Sequence, residues 1–157
     1  MHWIKKGVIF APDRNYDWMV SHASVPVVDE AREGVLRIYF GTRDQEGRSQ
    51  TSYIEVDADQ PENVLYIHDQ PILALGKPGS FDDRGIMPSW IVNYQNKKLL
   101  YYIGWNVSVS VPYHLSIGLA PRNPPPKRDR FLVPAWLAVS RADEVPRHFH
   151  RRLRFRR

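Results

Sequence analysis

The sequence has no cysteine in its 157 residues. Disulfides and thiolate-held metals are therefore excluded, and the redox compartment is left open. There is no Gly-x-Gly-x-x-Gly fingerprint, no Walker loop and no Gly-x-Ser-x-Gly elbow. The common signatures of dinucleotide, nucleoside-triphosphate and α/β-hydrolase chemistry are thus missing. No apolar run approaches the roughly 20 residues of a membrane helix, so no membrane contact is expected. Met1 to Phe10 carries Lys5 and Lys6 with no apolar core behind them, unlike a secretory signal; a cytoplasmic address is the default expectation. Of the histidines, only His148 and His150 stand at a ligand-like spacing, and neither a metal nor any other cofactor is expected. Helical periodicity is absent as well, since no window carries an apolar stripe at i, i+3, i+4 and i+7.

Short β-branched and aromatic runs are abundant, and they recur. Val25-Pro26-Val27-Val28, Leu36 to Gly41 and Ser52 to Val56 have counterparts in Met87 to Val92, Leu99 to Gly104 and Ser116 to Ala120. Pro26 and Pro88 are 62 positions apart, Tyr39 and Tyr102 63, Ser52 and Ser116 64. A repeat of this length in β-rich sequence is the mark of a propeller blade or a similar β array. Each unit buries one face against its neighbour, so two units imply a larger assembly.

The spacing predicts strands over Trp3–Phe10, Ser24–Val28, Val35–Thr42, Gln50–Val56 and Asn63–His68 in the first part. A loop rich in Pro and Gly, Gln70 to Gly85, leads to strands over Ile86–Tyr94, Lys98–Trp105 and Pro112–Ala120. Runs this close together suit antiparallel meanders. The expectation is an all-β fold of about two four-stranded units of the propeller-blade type. Residues 20–69 would form blade I and 70–120 blade II.

The net charge of +5 is an average over two unlike parts. Residues 1–120 hold 11 basic and 14 acidic side chains, a net of −3; residues 121–157 hold 11 basic and 3 acidic, a net of +8. The second part also holds 6 of the 13 prolines, including Pro124-Pro125-Pro126, which cannot donate to a sheet ladder. This tail has two readings: a genuine basic extension, or out-of-frame translation after a truncated gene. A basic tail binds anionic surfaces or nucleic acid by counterion release, but without a recognised fold or aromatic platform specific nucleic-acid binding is not expected.

Several segments together resemble blades I and II of the five-bladed glycoside hydrolases of the arabinanase, levansucrase and invertase superfamily. They are Ser21-His22-Ala23 with Pro26, Ile38 to Asp44 leading into Gly47-Arg48-Ser49, Phe81-Asp82-Asp83-Arg84-Gly85 with Pro88, and Leu100 to Asn106. The resemblance covers roughly residues 1–120 and implies an incomplete five-bladed propeller, of which these are the two N-terminal blades. It implies carbohydrate as the partner, with an acidic base or nucleophile in blade I, a second Asp in blade II and a general-acid Glu in blade III. Two departures stand out: Val25-Pro26 where the family often has Asp-Pro, and Pro88-Ser89 where relatives often have Pro-Asp. No third blade follows, so the chain is expected to be truncated and inactive by itself. Its open sheet edge offers a route to self-association.

Glycosidic-bond hydrolysis needs two carboxyl groups, about 5–5.5 Å apart for retention or about 6.5–9.5 Å for inversion. Asp83 and Asp44 are the catalytic candidates. Asp82 is a further site candidate, although adjacent residues diverge and the two neighbours do not make a pair. An Asx-turn before Gly85 is the structural alternative for Asp83. Arg43 and Arg48 can clamp sugar hydroxyls through their planar forks, or, with Asp44, form an ordinary polar hairpin turn. His22 precedes the first inner strand and is either a structural hydrogen-bonding residue or part of the site. Trp105 is the candidate for stacking on a sugar ring, with Trp18 and Trp90 as further aromatics. A glycosidase-like enzyme is one reading and a non-catalytic carbohydrate-binding propeller another. A basic-tailed anion- or nucleic-acid-binding protein is a third.

Overall fold

A computed structural model describes residues 2–95 and 97–122. The readings of the basic tail and the ligand-like histidine spacing within it fall outside these residues. The described part is all-β. It comprises β1 (Ser21–Arg32), β2 (Val35–Arg43), β3 (Ser49–Asp57), β4 (Val64–Ile67), β5 (Gly85–Tyr94), β6 (Lys97–Asn106) and β7 (His114–Arg122). The sheet order is β1-β2-β3-β5-β6-β7, with β4 on the far side of β3. All pairings are antiparallel except β3 with β5, a single parallel bridge between Ser49 and Gly85. Two meanders therefore meet at one corner, giving an open, incomplete propeller-like all-β fold. Among the described residues, no helix is long and apolar enough to cross a membrane.

Alternation along the strands sets the two apolar clusters. Tyr39 and Tyr53 turn one way from the first meander and meet Ile86, Leu100, Tyr102 and Ala120 of the second, with Ile72 and Leu73 of the long loop between them. Phe40, Ile54 and Val56 turn the other way and are covered by Phe10, Tyr16, Trp18 and Met19. The expected first strand over Trp3–Phe10 does not form. Trp3, Ile4 and Val8 are exposed, Gly7 has a φ of 106°, and the stretch pairs with none of the seven strands. Phe10 alone of its large apolar residues packs, against Phe40 at 5.3 Å between ring centroids.

Tyr39 and Tyr102 lie in the same cluster and so face one another. Equivalent residues of successive blades point the same way round a propeller, and side chains on a strand alternate with period 2. An odd offset of 63 thus cannot be the structural repeat at this point. Phe40, one residue on, faces away from the second meander as Tyr102 faces away from the open side, so an even offset restores the correspondence.

The second meander leaves its outer face open. Trp90, Leu115 and Ile117 are all more than half exposed, whereas Gly118 and Ala120 of the same strand β7 are buried. Gly118 pairs with Tyr102, and a Cβ there would overlap the tyrosine ring. The ring is held by the core, so it has little room to yield. A Gly118→Ala variant is expected to lose roughly 1–3 kcal/mol of stability, seen as a lower urea midpoint with an unchanged slope; an unshifted midpoint would show that the ring moves freely.

Candidate functional site

The sheet register draws a line across one end of the molecule. Ser21 pairs with Arg43, Arg43 with Ser49, Ser49 with Gly85, Gly85 with Trp105, and Trp105 with Leu115. Each is at or near a strand terminus. Arg43 and Trp105 lie in this row, and His22, Asp44 and Arg48 are next to it in the chain. Asp82 and Asp83 come just before Gly85. The fold therefore gathers all seven sequence-predicted residues at one end of the sheet, in strand ends and the turns that cap it.

The β2–β3 hairpin supplies the first group. Its turn closes with Asp44 N–H donating to Arg48 O at 3.1 Å and Gly47 N–H to Asp44 O at 3.1 Å; Gly47 takes a φ of 75°, which suits glycine. Asp44 is buried. Its Oδ1 accepts the backbone N–H of Glu46 at 3.0 Å and of Arg48 at 2.8 Å, and its Oδ2 accepts Nε of Arg48 at 2.8 Å. Three donors hold the carboxylate, so Asp44 as folded orients a guanidinium within its own turn. Its hydrogen bond and charge raise the Arg48 pKa above the ordinary value. Nη1 of Arg48 lies 3.4 Å from Glu46 Oε2, which leaves donors of the fork for a ligand.

Asp82 and Asp83 diverge. Asp82 is buried, with Oδ2 accepting from the Tyr102 hydroxyl at 3.0 Å and Oδ1 from Ser80 Oγ at 2.9 Å. Burial pushes the Tyr102 hydroxyl pKa far up, and the Asp82 charge and hydrogen bond add to it; the phenol stays protonated and donates. Asp82 thus locks the loop onto β6. The Oδ2 of Asp83 accepts the Gly79 N–H at 2.6 Å, a turn bond of the kind Asp commonly makes. Its Oδ1 is buried and has no hydrogen-bond partner among the described residues. An unpaired buried acceptor costs roughly 1–3 kcal/mol, more when charged. In a native fold such a cost calls for a functional or structural reason.

The remaining candidates are less enclosed. Arg43 is exposed. His22 is exposed too, with Nδ1 2.8 Å from Ser21 Oγ. The strand carrying it is irregular: His22 and Val25 have φ of 67° and 51°, and register shifts separate Ser21, Ser24 and Val27. A β-branched residue in the left-handed region is strained, and such strain concentrates at functional sites. Trp105 is half-buried: a Cβ at Gly85 would overlap its indole, and it meets Tyr113 edge-on at 6.4 Å. Packing thus uses much of the surface expected to stack on a sugar.

Two cavities open at this end. One, of about 310 Å³, is lined by Asp17, Trp18, Asp44, Gln45, Glu46, Arg48 and Gln50. The other, of about 300 Å³, is lined by Arg48, Leu75, Gly76, Pro78, Asp83 and Arg84. Arg84, Asp17 and Gln50 were not singled out from sequence. Arg84 stands beside the Asp82-Asp83 pair and could have been found there; Asp17 and Gln50 reach the cavity only through the fold. Among the described residues no cluster of His, Asp and Glu has the arrangement of a metal site.

No family model matches the sequence. Two proteins of Mycobacterium tuberculosis, from strain CDC 1551 / Oshkosh and strain ATCC 25618 / H37Rv and both described as uncharacterized, are 42% identical to it over 120 residues. The match covers 76% of this chain and 40% of each relative, so the chain spans about two-fifths of their length. Among solved structures, a family 117 glycoside hydrolase of the marine bacterium Zobellia galactanivorans superposes with a TM-score of 0.61 at 18% identity, over 83% of this chain and 37% of that one. At that identity the likeness is one of fold, and the fold of this chain is glycoside-hydrolase-like.

Proposed function

We propose that this end of the sheet recognises carbohydrate, and that residues 20–69 and 70–120 are the first two blades of a five-bladed propeller that in its full length acts on glycosidic bonds. The observation that carries the reading is Asp83: a carboxylate in a cavity wall, one oxygen fixed by Gly79 and the other without a donor. Sugar hydroxyls are both donors and acceptors, and Arg48 and Arg84 in the same wall supply donors. Rotation about the Asp χ2, a broad torsion, brings an oxygen to a hydroxyl entering the cavity. The fold likeness and the share of the relatives' length, two-fifths for two blades of five, support the same reading.

Binding without hydrolysis is the second reading, and Asp44 favours it. Asp44 is held in its own turn and lines the other cavity, which leaves Asp83 as the one carboxylate among the described residues lining the second, whereas hydrolysis requires two. The missing acid would come from a further blade. The exposed face around Trp90, Leu115 and Ile117 is where that blade, or a second copy of the chain, would pack.

Asp83→Asn tests the site. It is expected to weaken binding of the best ligand in a panel of neutral oligosaccharides by roughly 10- to 100-fold, the loss of a charged hydrogen-bond acceptor. Wild-type affinity in the variant would remove Asp83 from the site.

A further inference from the structure

We infer that the ligand is a neutral oligosaccharide of at least two rings that straddles the tip of the β2–β3 hairpin, one ring in each cavity. This rests on the carbohydrate reading above and adds the size and charge of what binds. Arg48 is the side chain that lines both cavities. The cavities lie on opposite sides of the hairpin. Thr51 Oγ1 donates to Ile86 O at 2.9 Å, so it faces the second meander. Gln50, its neighbour in β3, faces the other way, towards the side covered by Trp18 and Met19. A single compact ligand cannot fill both spaces, but a chain crossing the turn can. Each volume is at the lower end of the roughly 300–1,000 Å³ usual for small-molecule sites, which suits about one ring.

The guanidinium of Arg48 is already fixed for such a bridge. Nε is held by Asp44 and Nη1 lies near Glu46, so the remaining donors point from a clamped fork and lose little freedom on binding. The Trp18 side has what a ring needs: an indole already seated beside Tyr16 at 5.7 Å, two amides in Gln45 and Gln50, and carboxylates in Asp17 and Glu46. Those two carboxylates also set the charge of the ligand, since in the other cavity Asp83 and Arg84 offset one another in formal charge. With the Asp44–Arg48 pair neutral as a unit, Asp17 and Glu46 leave the Trp18 cavity negative and repel a phosphate, a sulfate or a uronic acid.

The test is calorimetric titration of the full 157-residue chain with gluco-, galacto-, arabino- and fructo-saccharides of one to three units. The best series is expected to bind at least ten times more tightly at two units than at one. Trp18→Leu should bring the disaccharide down to the affinity of the monosaccharide. Because Trp18 also packs against the Met19 cluster, Gln50→Ala, outside that cluster, is the second variant and should cut the same gain severalfold. Equal affinity for one and two units, or a gain that survives both variants, overturns the two-ring inference and leaves the carbohydrate reading standing. Binding of a uronic-acid disaccharide more tightly than its neutral counterpart overturns the neutral assignment. No binding in any series overturns both the inference and the reading beneath it.

Discussion

Replacing Glu55 by glutamine is expected to lower the stability of the chain by about 3 kcal/mol at neutral pH. Glu55 is buried on β3. Its Oε1 accepts from Arg37 of β2 at 2.6 Å, and its Oε2 accepts from Arg32 of β1 at 2.8 Å. One carboxylate thus ties three strands together. Arg37 is itself largely buried, with its guanidinium 4.1 Å from the centre of the Tyr53 ring. Removing the carboxylate charge leaves an enclosed guanidinium without its counter-ion, the costly way to break a buried pair.

The same residue sets an acid limit. Burial alone would raise the Glu55 pKa, but the hydrogen bonds and charges of Arg37 and Arg32 outweigh it and hold the carboxyl below its ordinary value. A carboxyl with a depressed folded pKa stabilises above its unfolded pKa, roughly 4.3. That stabilisation is lost as pH falls through the lower folded value. Urea midpoints of the wild type should therefore decline below about pH 4.3, while those of Glu55→Gln, lower at neutral pH, should change less. Parallel curves for the two proteins would show that other carboxylates govern acid unfolding.

Tyr102→Ala is expected to cost about 3–5 kcal/mol, as for other large aromatic truncations in a core. The ring is fully buried between the meanders, stacked at 6.0 Å on Phe81 and paired across to Gly118. The loss comes on top of a polar one, because Asp82 gives up the hydroxyl that satisfies its Oδ2. Tyr102→Phe separates the two. It keeps the ring and should still cost roughly 1–3 kcal/mol, the penalty of a buried acceptor left unpaired. Asp82 also holds Ser80, and Ser80 O accepts from Asn106, so both variants should loosen the loop that carries Asp83. Carbohydrate affinity is the readout: a Tyr102→Phe variant that is destabilised yet binds with wild-type affinity would show that the loop does not depend on this bond.

Much of the fold was legible from local pattern. Strand alternation, turn residues such as Glu46-Gly47 and the loop rich in Pro and Gly placed the strands from Ser21 onward to within a few residues, because β-branched and aromatic runs between turns have few other ways to fold. Trp3–Phe10 carries the same local pattern and failed. A strand exists only where it pairs with another, and the local pattern does not encode whether a segment reaches a partner. At the candidate site, residue type and order marked out Asp83, Asp44, Arg43, Arg48, His22, Asp82 and Trp105. They could not say which oxygens would be free. Asp44 is consumed by its own turn, Asp82 by a tyrosine 20 residues away, and Asp83 alone keeps an unpaired oxygen.

The sequence by itself determined that the described chain is all-β, repeated, free of thiols and rich in polar turns. Composition and short-range periodicity act through the backbone within a few residues. The tertiary structure decided which way each repeat faces and what meets what. Tyr39 and Tyr102, matched at 63 positions, look into the same core because an odd step along a strand reverses the face. The row from Ser21 through Arg43, Ser49, Gly85 and Trp105 to Leu115 exists only because one parallel bridge joins the two meanders. That contact between distant segments brings Arg48, Arg84 and Asp83 to one wall.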